Sequence, residues 1–375
     1  MLPATIRMPT TSVREVVREL RPAGAAKPAG HRSLTALLVL AGAALVGVLL
    51  ASHGHEFVDA LGRALHTGWW AVALGAACEA ASLAGYVLLL HHVVGKGSAR
   101  LRVKDSYDIA LGGTAATRLL PTAGVGGVAV AVWALRARGV RPRELTERLL
   151  AFLLLLYGVY MAALFASGAA VGLGLVHVPQ GQALGFLGMA AAVGVGGGIV
   201  VLFAWPAPIH AALRRMSEGS GRLAPGAERA IEELPVLRAA LRAAWHELRR
   251  PHLALLGGAA SWGFDIAVLA AMLHAFGVAL PIEAIVLAYF LGTLFNLLPL
   301  PGSLSGGLAG ALIALGAPAA PAIAAVLAYR TIAVWLPAAS GIASLASLRT
   351  SVAEWRGEAA GVRAGTRTAE RQFAV

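Results

Sequence analysis

One pattern occurs twice inside otherwise apolar sequence, and it constrains the fold of this chain more than any other feature. Leu119-Leu120-Pro121-Thr122-Ala123-Gly124-Val125-Gly126-Gly127 returns as Leu297-Leu298-Pro299-Leu300-Pro301-Gly302-Ser303-Leu304-Ser305-Gly306-Gly307. Proline and clustered glycine break a helix, and lipid offers the freed backbone groups no partner. Such breaks survive at membrane depth only where protein or a wet cavity surrounds them. Two of them at corresponding places in two halves are the pattern of a transporter-type binding site.

The surroundings are of membrane grade. Of the 375 residues, 58% are hydrophobic and only 13% charged, too apolar for a soluble domain. Apolar segments at 34–51, 68–90, 149–171, 183–204, 253–276 and 322–346 reach the length needed to span a bilayer. The net charge of +12 would suggest nucleic acid in a soluble protein. In a membrane protein, arginine in loops is a topology signal, so no nucleic-acid partner is expected. The single cysteine, Cys78, lies in a span and excludes a disulfide framework. Residues 1–33 are polar and arginine-bearing, so 34–51 reads as an uncleaved first span behind a basic cytoplasmic tail.

Charge then orders the spans. All but three of the 31 lysines and arginines lie in the N-terminal tail, 96–104, 136–148, 206–250 and the tail from Arg349; the exceptions are Arg63, Arg118 and Arg330. These five segments share one face only if both motif regions, 107–135 and 282–316, leave and re-enter on the same side. Positive-inside puts that face, and both termini, in the cytoplasm of a cell with this protein in its plasma membrane. As helices, Gly124–Leu135 and Leu304–Gly316 rise only about 18–20 Å against a hydrocarbon core of about 30 Å. The expectation is an all-α polytopic fold of six full transmembrane helices and two re-entrant helical hairpins, the first dipping from the cytoplasm and the second from outside.

The order span, hairpin, span occurs at 68–171 and again at 253–346, in opposite orientations, within one membrane domain covering 34–348. Pro121 and Pro299, Gly127 and Gly307, Gly139 and Gly316, and Arg148 and Arg330 recur at nearly constant spacing. An inverted repeat of this kind places its site at the repeat interface near the midplane. Each returning arm begins as a helix N-terminus, whose free N–H groups and partial positive charge suit an anion. The candidate substrate-binding residues are therefore Arg118, Pro121, Gly124, Gly126 and Gly127 in the first motif. In the second they are Asn296, Pro299, Pro301, Gly302, Ser303, Gly306 and Gly307. The competing reading is that the glycines only let helices pack closely.

Glu79 and Asp265 lie within the second and fifth spans and Arg330 within the last. Ionisable groups at such depth are functional candidates. Arg330 is expected to pair with Asp265 or Glu79, either to couple protons or to hold the repeats together. Arg148, beside Glu147 at a span end, reads as an interfacial anchor or ion pair. Pro337 is expected to kink the last span. His53-Gly54-His55 and His91-His92 are placed in a loop and at a helix end, so no metal site is expected, and no nucleotide or nucleophile motif calls for a cofactor or an enzymatic role. Within 206–251, Leu234, Leu237, Leu241, Trp245 and Leu248 recur at helical spacing among arginines, the pattern of an amphipathic helix on an anionic leaflet. The tail 349–375 reads as disordered.

Leu-Leu-Pro with its glycines, Glu147-Arg148-Leu149, Pro301-Gly302, Gly306-Gly307, Tyr329-Arg330 and Trp335-Leu336-Pro337 together resemble the lysylphosphatidylglycerol synthase transmembrane-region family, also called flippase-like. The resemblance covers roughly 34–348. It implies lipid flipping by the membrane region, the aminoacyl transfer of two-domain members belonging to a soluble part that the roughly 27 residues after 348 cannot supply. The family's second motif has a glutamate after the glycines where this chain has Leu308-Ala309-Gly310, and its first has an arginine where this chain has Val128-Ala129-Val130.

The function expected from both lines is translocation of an anionic or aminoacylated lipid headgroup between leaflets, with membrane lipids as partners and no enzymatic step. The alternatives are a secondary transporter of a small anionic solute and a non-transporting membrane partner of a cell-envelope enzyme. A homo-oligomer is compatible with all three.

Overall fold

The computed structural model describes residues 69–96, 100–119, 125–204, 206–218, 224–249, 253–295 and 303–373. These residues form helices joined by short turns, with no strand among them. In chain order they are α1 (Trp69–Gly95), α2 (Val103–Leu119), α3 (Val125–Ala137), α4 (Pro142–Gly172) and α5 (Gln182–Ala204), followed by α6 (Pro206–Ser217) and α7 (Ala224–Leu248). The rest are α8 (Leu253–Ala275), α9 (Ile282–Leu294), α10 (Ser303–Ala314) and α11 (Ala319–Phe373). Five helices are long and apolar enough to cross a membrane: α1, α4, α5 over Gln182–Val201, α8, and α11 over Ala319–Glu358. They coincide with five of the six expected spans. The sixth, at 34–51, lies outside the described residues.

Two boundaries differ from expectation for local reasons. Helix α4 begins at Pro142, because proline fits the first turn of a helix, where its missing N–H costs nothing. Helix α11 runs on to Phe373 instead of giving way to a disordered tail at 349. Leu348, Val352 and Trp355 are buried on its inner face, and Arg138 stacks on the Trp355 ring, so packing carries the helix past the apolar segment.

The two units, α1 to α4 and α8 to α11, share one element order. Their first helices run antiparallel, which residue pairs along the crossing make plain: Gly75 lies beside Val268, Ser82 bonds the Ser261 carbonyl at 2.8 Å, and Gly85 meets Gly257. A Cβ on Gly85 would stand 2.7 Å from the Gly257 carbonyl oxygen, so the backbones touch there. This is the small-residue contact through which membrane helices approach most closely. The ends of α3 and α10 also correspond. Val140 N–H bonds the Leu135 carbonyl and Gly139 N–H that of Arg136, as Ala317 does with Leu312 and Gly316 with Ile313. Both glycines take positive φ, the backbone form that closes a Schellman cap.

Between the long helices sit two helical hairpins, α2–α3 and α9–α10. Their returning arms have 13 and 12 residues, a rise of about 20 and 18 Å against a core of about 30 Å. Each hairpin anchors its own apolar core. Ile109, Ala110, Val132 and Leu135 pack with Leu89, Phe152 and Leu348. Leu287, Phe290, Leu308 and Leu312 pack with Leu164, Leu269 and Val326. The polar segment expected as one amphipathic helix on the membrane is instead two, α6 and α7. Ala227, Leu234, Ala240, Leu241 and Ala244 of α7 are buried within the protein, while Trp245 and Leu248 stay exposed.

Candidate functional site

Among the described residues, charged side chains of α1, α2, α8 and α11 gather in the membrane-grade interior, where five helices from both units converge. Glu79 of α1 is completely buried and pairs with Arg118, the next-to-last residue of α2, at 2.9 Å. Asp265 of α8 accepts from the hydroxyl of Tyr289 on α9 and, at 3.1 Å, from that of Tyr329 on α11. The antiparallel crossing of α1 and α8 brings the Glu79 and Asp265 carboxyls next to each other. Glu79 Oε2 has no hydrogen-bond partner among the described residues. An unpaired buried oxygen of this kind marks a place a water, ion or proton would satisfy. Arg118 keeps 23% of its side chain exposed, whereas its partner Glu79 is fully buried.

An aromatic wall closes the side facing α4. Tyr160, Trp262, Tyr289 and Phe290 stack edge to face in succession. Trp262 donates to the Leu156 carbonyl at 2.8 Å, and Tyr160 donates to that of Phe290. These bonds satisfy the polar tips of large rings held in apolar surroundings.

Residues 33–341 match the family model for the lysylphosphatidylglycerol synthase TM region. The chain belongs to this family. It is a multi-pass membrane protein related to lipid handling. No curated protein matches it.

In this family member the expected site residues divide into three groups. Arg118, Glu79, Asp265 and Arg330 come together, but in a different pairing from that expected. Arg118 takes Glu79, tyrosine hydroxyls take Asp265, and Arg330 forms no ion pair with either carboxylate. The reason is the crossing point of α1 and α8, which faces Glu79 toward α2. Glu147 and Arg148 stand apart, at the start of α4. Glu147 pairs with Arg143, while Arg148 pairs with Glu144 and donates to the Val93 carbonyl, each at 3.0 Å. Arg148 is thus an anchor for the end of α1, and it has no counterpart in Arg330.

The motif glycines form the second group. A Cβ on Gly127 would lie 2.6 Å from Thr117 Oγ1 and 3.0 Å from the Gly113 carbonyl, and one on Gly307 would lie 2.7 Å from the carbonyl of Gly292. Their place is between the arms of each hairpin, which favours packing over ligand contact at these two positions. Gly306 faces open space, and Gly126 and Ser303 stand in the first turns of α3 and α10. The third group, Pro121, Gly124, Asn296, Pro299, Pro301 and Gly302, lies outside the described residues. Sequence reasoning missed Tyr289, whose position in an apolar arm was the available signal, and the packing partners Gly113 and Gly292.

A groove of about 660 Å³ runs between α1, α2 and α11, from Ala80 and Leu336 at one end to His91, His92 and Lys96 at the other. Along it the backbone of α1 changes to a π-turn over His91–Gly95.

Proposed function

We propose that this protein moves a lipid headgroup between membrane leaflets and performs no covalent step on it. The observation that carries the reading is the Arg118–Glu79–Asp265–Tyr289–Tyr329 cluster, which draws residues from both repeats and both hairpins into one apolar interior. Glu79 is fully buried whereas Arg118 keeps part of its side chain exposed, and a guanidinium is suited to hold a phosphate through parallel hydrogen bonds. When a headgroup phosphate takes Arg118, Glu79 gives up its partner, and the cluster has two alternative states. The family's link to lipid handling supports a lipid over a soluble anion as the cargo.

In this reading both hairpins are re-entrant, since arms of about 18 to 20 Å stop short of a core of about 30 Å. The basic segments then share the cytoplasmic face. Arg118, together with Glu79 and Asp265, supplies the charge that the family motif carries after its glycines. The test is leaflet translocation of fluorescent phosphatidylglycerol by the protein reconstituted in liposomes. Wild type should accelerate exchange, and Arg118→Ala should lower the rate at least tenfold. An Arg118→Ala rate equal to wild type overturns the mechanism.

A further inference from the structure

We propose that the groove between α1, α2 and α11 seats a glycerophospholipid, its anionic phosphate at the His91, His92 and Lys96 end and one acyl chain along α1 toward Ala80. The lining is graded in the manner of such a lipid. Its middle is alkyl, with Leu83, Val87, Leu88 and Leu111 among its walls, and the ionisable groups gather at one end, the Ser340 hydroxyl near the other being bonded to the Leu336 carbonyl. No carboxylate is among the described residues that line it, while Lys96 supplies a full positive charge and Tyr107 an amphipathic ring at the same end. Sixteen residues of helix separate Ala80 from Lys96, a rise of about 24 Å. That is enough for the roughly 15 Å of one leaflet's hydrocarbon with a headgroup beyond it.

The polar end is built with care. His91 Nδ1 is bonded to Ser106 Oγ and His92 Nδ1 to the Leu88 carbonyl, each at 2.9 Å, so both rings are fixed through the same nitrogen. The π-turn that carries them is a rare backbone form, concentrated at functional positions. Arg148 stabilises it by bonding the Val93 carbonyl. At the other end, the α2 wall continues from Val103, Tyr107 and Leu111 toward Arg118 on the same helix. The groove thus leads from a basic surface toward Arg118, the partly exposed member of the buried ion pair. The seat rests on the proposed translocation only for what becomes of the lipid afterwards.

The full chain, reconstituted in phosphatidylcholine nanodiscs, is labelled with phospholipids carrying a diazirine in the acyl chain, and the adducts are mapped by peptide mass spectrometry. Phosphatidylglycerol and phosphatidylcholine probes are compared at equal mole fraction. The seat predicts adducts concentrated in 80–88 and 103–111, at least about fivefold more from the anionic probe, as one well-placed cation gives. Lys96→Glu, on an exposed side chain that the fold does not need, should bring the two probes level. Leu83→Trp should remove both. Equal labelling by the two probes in wild type overturns the proposal, as do adducts spread evenly onto the exposed α5 residues Val193, Val195 and Val200. Labelling that persists in Arg118→Ala after translocation is lost upholds the seat. Labelling in a wild type that moves no lipid upholds the seat and overturns the transport reading alone.

Discussion

The hairpins α2–α3 and α9–α10 are built alike and charged differently. In each, two glycines let the arms touch, Gly113 against Gly127 and Gly292 against Gly307, and in each the returning arm ends in the same glycine cap. The first hairpin brings Arg118 to the buried cluster, whereas the second, among the described residues, brings the Tyr289 hydroxyl to Asp265. Scaffold and site therefore follow separate rules in the two hairpins. The packing contacts kept their twofold correspondence because both hairpins face the same steric problem. The charge did not: Arg118 pairs with Glu79 in the first hairpin, and the described arms of the second carry no lysine or arginine.

The largest expected effect breaks the charged half of this comparison. Arg118→Leu strands Glu79 as an uncompensated buried carboxylate and should cost about 3 to 5 kcal/mol. Thermal unfolding in detergent would measure it, and Glu79→Leu on that background should restore most of the loss. If the double variant is no more stable than the single one, the pair is not what holds α1 to α2. The shared scaffold is probed next. Gly127→Leu and Gly307→Leu should each destabilise by at least about 1 to 3 kcal/mol through overpacking between the arms, and by similar amounts. A loss at one site only would show that the hairpins are not equivalent supports.

A smaller loss is expected at Asp265. Tyr289→Phe and Tyr329→Phe each remove one hydroxyl from it, at about 1 to 3 kcal/mol apiece, and their effects should be non-additive because both donors serve one carboxylate. The smallest effect sharpens the contrast among motif glycines. Gly306→Ala and Gly310→Ala meet no atom within 4 Å and should be neutral, or stabilising by up to about 1 kcal/mol from helix propensity. A large loss at Gly306 would mean that the space beside it is occupied in the functional protein.

The long helices, the two short-armed hairpins and their repetition were legible in the sequence, because span length and the clustering of arginine are one-dimensional signals. The cap glycines Gly139 and Gly316 were legible as a recurring pair for the same reason. The partner of Glu79 was not. Helices apolar on all sides carry no stripe that reports which way a residue faces, so the sequence pointed to Arg330, whereas the crossing of α1 and α8 gives Glu79 to Arg118. Gly113 and Gly292 were hidden likewise, as single glycines among many in helices of small residues. Of the candidate site, the ionisable residues were found one by one, and their grouping needed three dimensions.

The contact between Gly85 and Gly257 fixes more than an orientation. Two helices touching backbone to backbone, with a hydroxyl bonded across the contact from Ser82 to Ser261, resist sliding but tolerate a change of angle. The crossing is thus a fulcrum for the two halves of the molecule. Their far ends are lever arms, and the Glu79–Asp265 junction, about two turns from the bearing point, is where a wide swing at either surface arrives as a small change in distance.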